Sequence, residues 1–399
     1  MTSYGSYRPV RLSPQRGAVS KALAKDSVLR KLDWILILAA LVLSLGSSLL
    51  VWSATRGRDT LTHGDPQYFL YRHLTNLMIG LVLCAVVIGT GSRRFRTLVP
   101  FLYIAVILML LATLSPLGST INGQHSWIQF GGGFSVQPAE FAKLAIVLGM
   151  AVIISSRVDA GDREYPGDRS VFQGLVAASI PMAVVMLMPD AGSVMVMAVI
   201  VLGILLASGA ANRWTFGLLL AGVGGAVAIW KLGVLSKYQI DRFAAFANPA
   251  LDPSGVGYNT AQARIAIGSG GLTGKGLFHG TQTTGQFVPE QQTDFVFTVA
   301  GEELGFLGAA AILVLLGVVL WRACRIARHA TDLYGTIVVA GVVAWFAFQA
   351  FENIGMCLGI MPVAGIPLPF VSYGGSSMFA VWIAIGLMQA VHSQRPIAG

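Results

Sequence analysis

A carboxylate at the edge of an apolar run is the first candidate for chemistry in this sequence. Only 18 of the 399 residues are Asp or Glu, and one of them, Asp294, ends a long polar stretch directly before an apolar run. Partial desolvation at such a boundary makes a carboxylate a better proton acceptor, so Asp294 is a candidate general base. The same position ahead of a helix also suits an N-cap, and one residue can serve both roles.

Three more charged residues lie where charge is costly, because a charge within an apolar span must face a partner or a wet cavity. Glu140 and Lys143 stand three positions apart at the start of an apolar run, so on a helix they share a face and can pair. That pair either braces a helix bundle or lines a polar cavity. Asp190 follows Pro189 at a break between two runs, where it either caps the next helix or lines a cavity.

The elements that must position these residues are apolar helices. The chain is 55% apolar and 11% charged, with a mean hydropathy of +0.70, whereas soluble domains are about 45–50% apolar and about 25% charged. An ordinary soluble enzyme is therefore excluded, and ten apolar runs predict an all-α polytopic membrane protein with ten transmembrane helices. The predicted spans are 34–52, 74–91, 98–115, 138–156, 171–188, 191–208, 214–232, 295–321, 335–358 and 372–391.

The Lys and Arg residues indicate the orientation. With a cytoplasmic N-terminus, the inner segments hold most of them, while the short outer loops hold Arg56, Arg58 and Arg72. By the positive-inside rule both termini are cytoplasmic. The net charge of +9 is thus a topology signal, with attraction to membrane lipids as a secondary effect, and it does not indicate a nucleic-acid partner. We expect three parts, namely a basic cytoplasmic tail over 1–33, a single membrane domain over 34–393 and a cytoplasmic tail over 394–399.

The connection between the seventh and eighth runs is the largest outer loop. Residues 233–294 are too polar to span, and a loop of that length in a compact protein is usually functional or disordered. The periodic stretch 258–267 and the glycine-rich turn 268–271 favour amphipathic helical pieces at the outer surface. A second outer segment, 122–137, suits an interfacial or re-entrant element.

Four segments resemble, in order along the chain, the SEDS family of bacterial cell-wall polymerases (shape, elongation, division and sporulation), whose members include RodA and FtsW. The segments lie at 127–143, 248–276, 289–305 and 365–377. The resemblance extends over about residues 34–391, nearly the whole chain. The last segment, with Pro367-Leu368-Pro369-Phe370-Val371-Ser372-Tyr373, is more similar to RodA than to FtsW.

The resemblance implies a ten-helix peptidoglycan glycosyltransferase. Such an enzyme polymerises lipid II into glycan strands at the outer face of the bacterial plasma membrane and has a class B penicillin-binding transpeptidase as partner. In the family pattern Asp294 is the essential aspartate, while Glu140, Lys143 and Asp190 belong to a central cavity. A histidine often precedes the threonine of this pattern, but Gln292 stands there, so no role for that histidine carries over.

A mechanism consistent with these positions makes Asp294 the base for the acceptor hydroxyl, with inversion at the anomeric carbon. The departing undecaprenyl pyrophosphate accumulates negative charge, which a nearby cation would stabilise. Arg242 is the first choice for this cation, and the other candidates are Arg264, Lys275 and Lys143. A divalent ion such as Mg²⁺ or Mn²⁺ is the alternative. Contact with sugar or lipid is expected of three residues, for each of which core packing is the alternative reading: Trp127, Tyr258 and Gln262.

Two other functions remain open at this stage. A flippase that moves the same lipid also fits a polytopic bundle with buried charges, and a scaffold that recruits the transpeptidase fits a large outer loop. A transport site needs charges near the membrane midplane, whereas a polymerase needs its base at the outer interface. Asp294 fits the polymerase better, and a role in elongation, division or sporulation stays open.

Overall fold

The computed structural model describes residues 28–62, 64–121, 124–130, 134–188, 190–231, 233, 246 and 255–394. Most of them are helical. The helices of eight residues or more are α1 (Trp34–Thr55), α2 (Tyr68–Thr90), α3 (Ser92–Thr113), α4 (Pro138–Asp159), α5 (Asp168–Met186), α6 (Ala191–Ala207), α7 (Asn212–Lys231), α8 (Val256–Ser269), α9 (Val296–Glu303), α10 (Gly305–Arg328), α11 (Leu333–Leu358) and α12 (Gly375–His392). Single turns of helix lie at Val28–Lys31, Asp59–Thr62 and Thr281–Thr284.

The helical membrane fold predicted from the apolar runs is confirmed. Within the described residues eight helices are long and apolar enough to cross a membrane, namely α1 to α5 and α10 to α12. The sixth predicted span corresponds to α6, which is shorter at 17 residues, and the seventh corresponds to α7, which has 20 residues. Each predicted run thus contains a helix, and the number of ten spans stays a prediction.

The eighth predicted span, 295–321, was wrong in its extent. The helix is interrupted at Leu304, and a new helix begins at Gly305. The predicted span therefore contains two helices, α9 and α10, of which only α10 is long and apolar enough to span. Gly305 has a φ of +67°, a backbone conformation that favours glycine. The main chain of the glycine-rich turn supplies the cause, because the amides of Phe306 and Leu307 donate to the carbonyls of Gly271 and Leu272 at 2.8 and 3.1 Å.

The residues that follow this turn hold the end of α9 in place. The amides of Lys275 and Gly276 each donate to a glutamate carbonyl, Glu302 O and Glu303 O, at 3.0 Å. Glu302 and Glu303, expected within a span, therefore lie in a short helix ahead of it. The helical pieces predicted in the outer loop are present as α8 and the single turn Thr281–Thr284, while residues 234–245 and 247–254 lie outside the described part of the chain.

A small antiparallel sheet occupies the second outer segment. Its strands, in the order β1-β2-β3, are Gly118–Ile121, Gln124–Phe130 and Phe134–Val136. The expectation for 122–137 was an interfacial or re-entrant element, and the strand pairing gives this segment its own main-chain hydrogen bonds between α3 and α4. The tails predicted at 1–33 and 394–399 fall almost entirely outside the described residues, apart from 28–33 and 394.

Of the eight helices long enough to cross a membrane, the most buried are α4, α11 and α12, which form the centre of the bundle. More than half of the membrane-crossing window of each is removed from solvent. The largest buried side chains include Trp345 and Phe346 of α11 and Trp382 of α12. The charged and amide side chains that the centre contains are therefore placed by well-packed neighbours, and they include Glu140, Lys143, Gln349 and Asn353.

Candidate active site

Asp294 ends a tight turn that joins the outer loop to α9. Its amide donates to the carbonyl of Glu290 at 3.1 Å, and its side chain is half-buried. The N-cap of α9 is Phe295, one residue later, and the Phe295 side chain forms no capping bond. The N-cap interpretation of Asp294 was therefore wrong, because Asp294 stands one residue before the cap position.

The main chain of Asp294 is fixed by α11. Asn353 Nδ2 donates to Asp294 O at 2.8 Å and to Ile366 O at 2.8 Å. One helical turn later, Cys357 Sγ lies 3.9 Å from the same Asp294 carbonyl. Both groups come from the most buried face of α11, so Asp294 is anchored to the centre of the bundle.

The predicted pairing of Glu140 with Lys143 is present in α4. Lys143 Nζ donates to Glu140 Oε1 at 2.7 Å, and the two side chains are 2% exposed or less. Lys143 also donates to Gln349 Oε1 at 3.1 Å and lies 4.9 Å from the centre of the Trp345 ring. The structure thus supports the bracing interpretation, because the ammonium group has partners on α4 and on α11.

Asp190 caps α6, as one of its two interpretations predicted. Its carboxylate accepts from the amide and the hydroxyl of Ser193 at 3.0 and 2.7 Å. The side-chain Nε2 of Gln137 donates to the same carboxylate at 3.4 Å, and the main-chain N–H of Gln137 donates to Ser376 Oγ at 2.8 Å. Because Gln137 precedes α4 and Ser376 begins α12, the N-terminal ends of α4, α6 and α12 meet at this point.

The loop between α11 and α12, residues 359–374, connects these groups. Its Pro367 carbonyl accepts from Gln349 Nε2 at 2.6 Å, and its Tyr373 amide donates to Gln292 O at 2.8 Å. Phe370 holds a φ of +66° while its ring packs edge-on against Phe346 at 5.2 Å. The loop therefore contacts the Asp294 turn on one side and the partner of Lys143 on the other.

Two arginines that the sequence suggested only as outer-loop charges lie close to the Asp294 turn. Arg58 donates to Val288 O at 3.1 Å and to Gln292 Oε1 at 3.5 Å. Burial lowers the pKa of Arg58 while nearby Glu290 raises it, and a guanidinium stays charged under both influences. Arg72 bonds to the phenol of Tyr373, whose pKa burial raises and Arg72 lowers.

The remaining predicted residues lie in different surroundings. Lys275 Nζ donates to Glu302 Oε1 at 2.9 Å, so it has a structural partner in α9. Arg264 is exposed on α8, and its stem lies beside Gly359 at the end of α11. Tyr258 and Gln262 are half-buried on α8 and Trp127 is half-buried on β2, whereas Arg242 lies outside the described residues.

Sequence reasoning missed the two amides of α11, Gln349 and Asn353. They stand four positions apart, so they share a face, and both are fully buried. The signal was present as two amide side chains at helical spacing in a run that is apolar apart from them and Glu352. A cavity of about 510 Å³ between the end of α1 and the start of α2 was also unforeseen; it is lined by Trp52, Arg56, Gly57, Asp65, Pro66 and Gln67.

Comparison with known proteins decides the family. The model of the FtsW, RodA and SpoVE family of cell cycle proteins matches residues 32–396. The chain belongs to this family. The resemblance drawn from the four motifs is thereby confirmed, and the match extends from the start of α1 past the end of α12.

Curated relatives share about a third of their residues with this family member. It is 34% identical over 364 residues to the peptidoglycan glycosyltransferase MrdB of Escherichia coli K12, covering 91% of this chain and 94% of that protein. It is 35% identical over 361 residues to stage V sporulation protein E of Bacillus subtilis, covering 89% and 95%.

The fold is also similar to a solved structure described as showing structural coordination of polymerization and crosslinking by a peptidoglycan synthase complex. The TM-score is 0.73 at 28% identity, covering 90% of this chain and 97% of the other. Relatives named for different cellular roles match almost equally well, so the closer similarity to RodA stays a prediction.

Proposed function

We propose that this protein is a peptidoglycan glycosyltransferase that polymerises lipid II into glycan strands. The observation that carries the proposal is the placement of Asp294, a half-buried carboxylate ahead of α9, on a main chain held by the centre of the bundle. Relatives named peptidoglycan glycosyltransferase that match across nearly the whole chain support it.

In the proposed reaction the Asp294 carboxylate removes the proton of the acceptor 4-hydroxyl. The oxygen then attacks the anomeric carbon of the lipid-linked chain from the face opposite the leaving group. A carbon–oxygen bond forms, the bond to the pyrophosphate breaks, and its electron pair leaves with undecaprenyl pyrophosphate. The configuration at the anomeric carbon is inverted.

The leaving pyrophosphate gains negative charge, so a cation should stabilise the transition state. Arg58 and Arg72 are favoured by their contacts with Gln292 and Tyr373, and Arg264 by its place beside the end of α11. Arg242 stays a candidate from the sequence. Within the described residues no group of three His, Cys, Asp or Glu side chains is arranged to hold a metal, and a role for Mg²⁺ or Mn²⁺ stays a prediction.

The experiment is polymerisation of purified lipid II by the protein together with its transpeptidase. We expect glycan strands from the native protein and none from Asp294→Asn, whose side chain cannot accept the proton. The control is Asp162→Asn, an exposed carboxylate in a loop between α4 and α5. Equal polymer from native protein and Asp294→Asn would remove the base assignment.

A flippase and a scaffold give different results in the same system. Lipid II that crosses the liposome bilayer without forming polymer would favour the flippase. Crosslinking that is lost when this protein is left out, with no polymerisation by the protein itself, would favour the scaffold. The proposed partner is a class B penicillin-binding transpeptidase with a single span, because the similar solved structure is described as a complex that coordinates polymerization with crosslinking. We place the protein in the bacterial plasma membrane with both termini in the cytoplasm and the active site outside.

A further inference from the structure

We propose that Asn353 is a positioning residue for the proposed general base. Its side-chain amide would set the location of Asp294 by bonding the main-chain carbonyl of that residue. The inference rests on the proposed function, because it concerns the geometry of Asp294 in the polymerisation reaction. Asn353 itself does not touch the reacting atoms in this proposal.

The partners of Asn353 fix the orientation of its amide. Both contacts, at 2.8 Å each, are to main-chain carbonyl oxygens, of Asp294 and Ile366. A carbonyl accepts and cannot donate, so the group between them must be the NH₂ of the amide. The Oδ1 atom is buried and has no hydrogen-bond partner among the described residues. The polar function of Asn353 is therefore carried by its two N–H donors.

The two carbonyls belong to two different segments of the chain. Asp294 ends the outer loop, and Ile366 lies in the 359–374 loop that also contacts Gln292 and Gln349. Asn353 is fully buried in α11, one turn from Gln349, so its own position is set by packing. A rigid donor pair thus ties the main chain of the proposed base to the loop that faces it.

Such a tie matters because proton transfer depends on short distances. A displacement of about 1 Å caused by a mutation away from the chemistry can lower a rate by about 100-fold. Loss of both Asn353 bonds frees the Asp294 carbonyl and the Ile366 carbonyl together. We expect the carboxylate to sample more positions, which lowers kcat and leaves lipid II binding nearly unchanged.

The test compares Asn353→Leu and Asn353→Asp in the lipid II polymerisation assay with the transpeptidase present. Asn353→Leu has nearly the same shape and no donor, and we expect kcat to fall by about 10- to 100-fold, with KM changed by less than about 3-fold. Asn353→Asp replaces the NH₂ with an acceptor, and a protonated carboxyl regains one donor. At most one of the two donors then remains in either protonation state, so the kcat of Asn353→Asp should also fall while KM stays nearly unchanged.

A matched control separates positioning from general destabilisation. Gln389 of α12 is also a fully buried amide, and it bonds the main chain of another aspartate: its Oε1 accepts from Asp33 N at 2.8 Å and its Nε2 donates to Asp33 O at 2.9 Å. Gln389→Met should lower the unfolding temperature to a similar degree while kcat per folded molecule stays within about 3-fold.

The outcomes distinguish a failure of this inference from a failure of the proposed function. Native protein that makes no polymer would refute the proposed function, and an active Asp294→Asn would refute the base assignment. If both of those tests succeed, an unchanged kcat in Asn353→Leu, or equal losses in Asn353→Leu and Gln389→Met, would overturn the positioning role. Should Asn353→Leu not fold, the kcat of Asn353→Asp decides, and a kcat equal to that of the native protein rejects the inference.

Discussion

Glu302 and Glu303 are neighbours in α9, and their buried carboxylates have opposite pKa shifts. Burial raises the pKa of Glu302, but hydrogen bonds, led by the one from Lys275, outweigh it and the net pKa lies below the usual value. For Glu303 burial also raises the pKa, and the bond from Ser53 Oγ at 2.6 Å does not compensate. One glutamate is thus stabilised as an anion and the other as an acid.

This difference predicts that the stabilities of Glu302→Gln and Glu303→Gln, each relative to the native protein, depend on pH in opposite ways. The lowered pKa of Glu302 contributes stability above the reference value of 4.5, and that stability is lost as the pH falls through the folded pKa. Glu302→Gln should therefore lower the free energy of unfolding at pH 7, by about 1–3 kcal/mol, with a smaller loss near pH 4.

For Glu303→Gln we expect the opposite change of stability with pH. The raised pKa means that the protonated form contributes stability below 4.5, which is lost as the pH rises through the folded pKa. A neutral amide should therefore be as stable as the native protein or more stable at pH 7, and lose this advantage near pH 4. Thermal unfolding in detergent between pH 4 and pH 8 measures both variants, and parallel curves would contradict the assignment of the two shifts.

The buried pair of α4 should be costly to break. Lys143→Met leaves the Glu140 carboxylate buried and without its cation, a change worth about 3–5 kcal/mol in buried pairs. The double variant Lys143→Met/Glu140→Gln should recover part of the loss. The control is Arg213→Met, because the Arg213–Asp168 pair is mostly exposed and solvent screens its attraction, so its loss should change stability little.

Unfolding temperatures of these variants in one detergent provide the comparison. A loss in Lys143→Met no larger than that in Arg213→Met would show that Lys143 is not held as the structure indicates. The polymerisation assay on the same samples separates stability from activity, because Lys143 also bonds Gln349 and so connects α4 to α11.

The break between α9 and α10 predicts a sharp difference between two glycines of the same helix. A Cβ on Gly305 would lie 2.2 Å from Gly274 N, and the positive φ adds strain of about 1–3 kcal/mol. Gly305→Ala should therefore destabilise the protein and loosen the glycine-rich turn. Gly317→Ala, also in α10, meets no atom within 4 Å and should stabilise by about 0.5–1 kcal/mol.

Limited proteolysis provides a local readout for the turn. Faster cleavage within residues 270–285 in Gly305→Ala, with unchanged cleavage in Gly317→Ala, is the expected result. Equal unfolding temperatures for the two variants would contradict the close contact between Gly305 and the turn.

Much of this arrangement could be predicted from the sequence where a local rule decides it. The helices follow from apolar runs, the Glu140–Lys143 contact from a spacing of three, and the Asp190 cap from its place before an apolar helix. The break at Gly305 could not be predicted, because an apolar run gives no sign that a distant glycine-rich turn takes its hydrogen bonds.

The bonds of Asn353 could not be predicted for a related reason. Its partners lie 59 and 13 positions away in the chain, and neither contributes a side chain to the contact. A main-chain carbonyl leaves no residue type in the sequence to suggest a pairing. The sequence therefore predicted Asp294 and Lys143 as candidate site residues. It did not predict the two amides that bond them, Asn353 and Gln349.

Orientation in the membrane is the remaining prediction. Thr273 lies exposed in the large loop predicted to be outside, and Asp162 lies exposed in the loop predicted to be cytoplasmic. In a variant with Cys84, Cys324 and Cys357 replaced by alanine, Thr273→Cys should react with an impermeant maleimide on intact cells. Asp162→Cys should react only after lysis. The reverse pattern would place Asp294 on the cytoplasmic side, where finished glycan strands could not be released, and would exclude the proposed outer polymerisation.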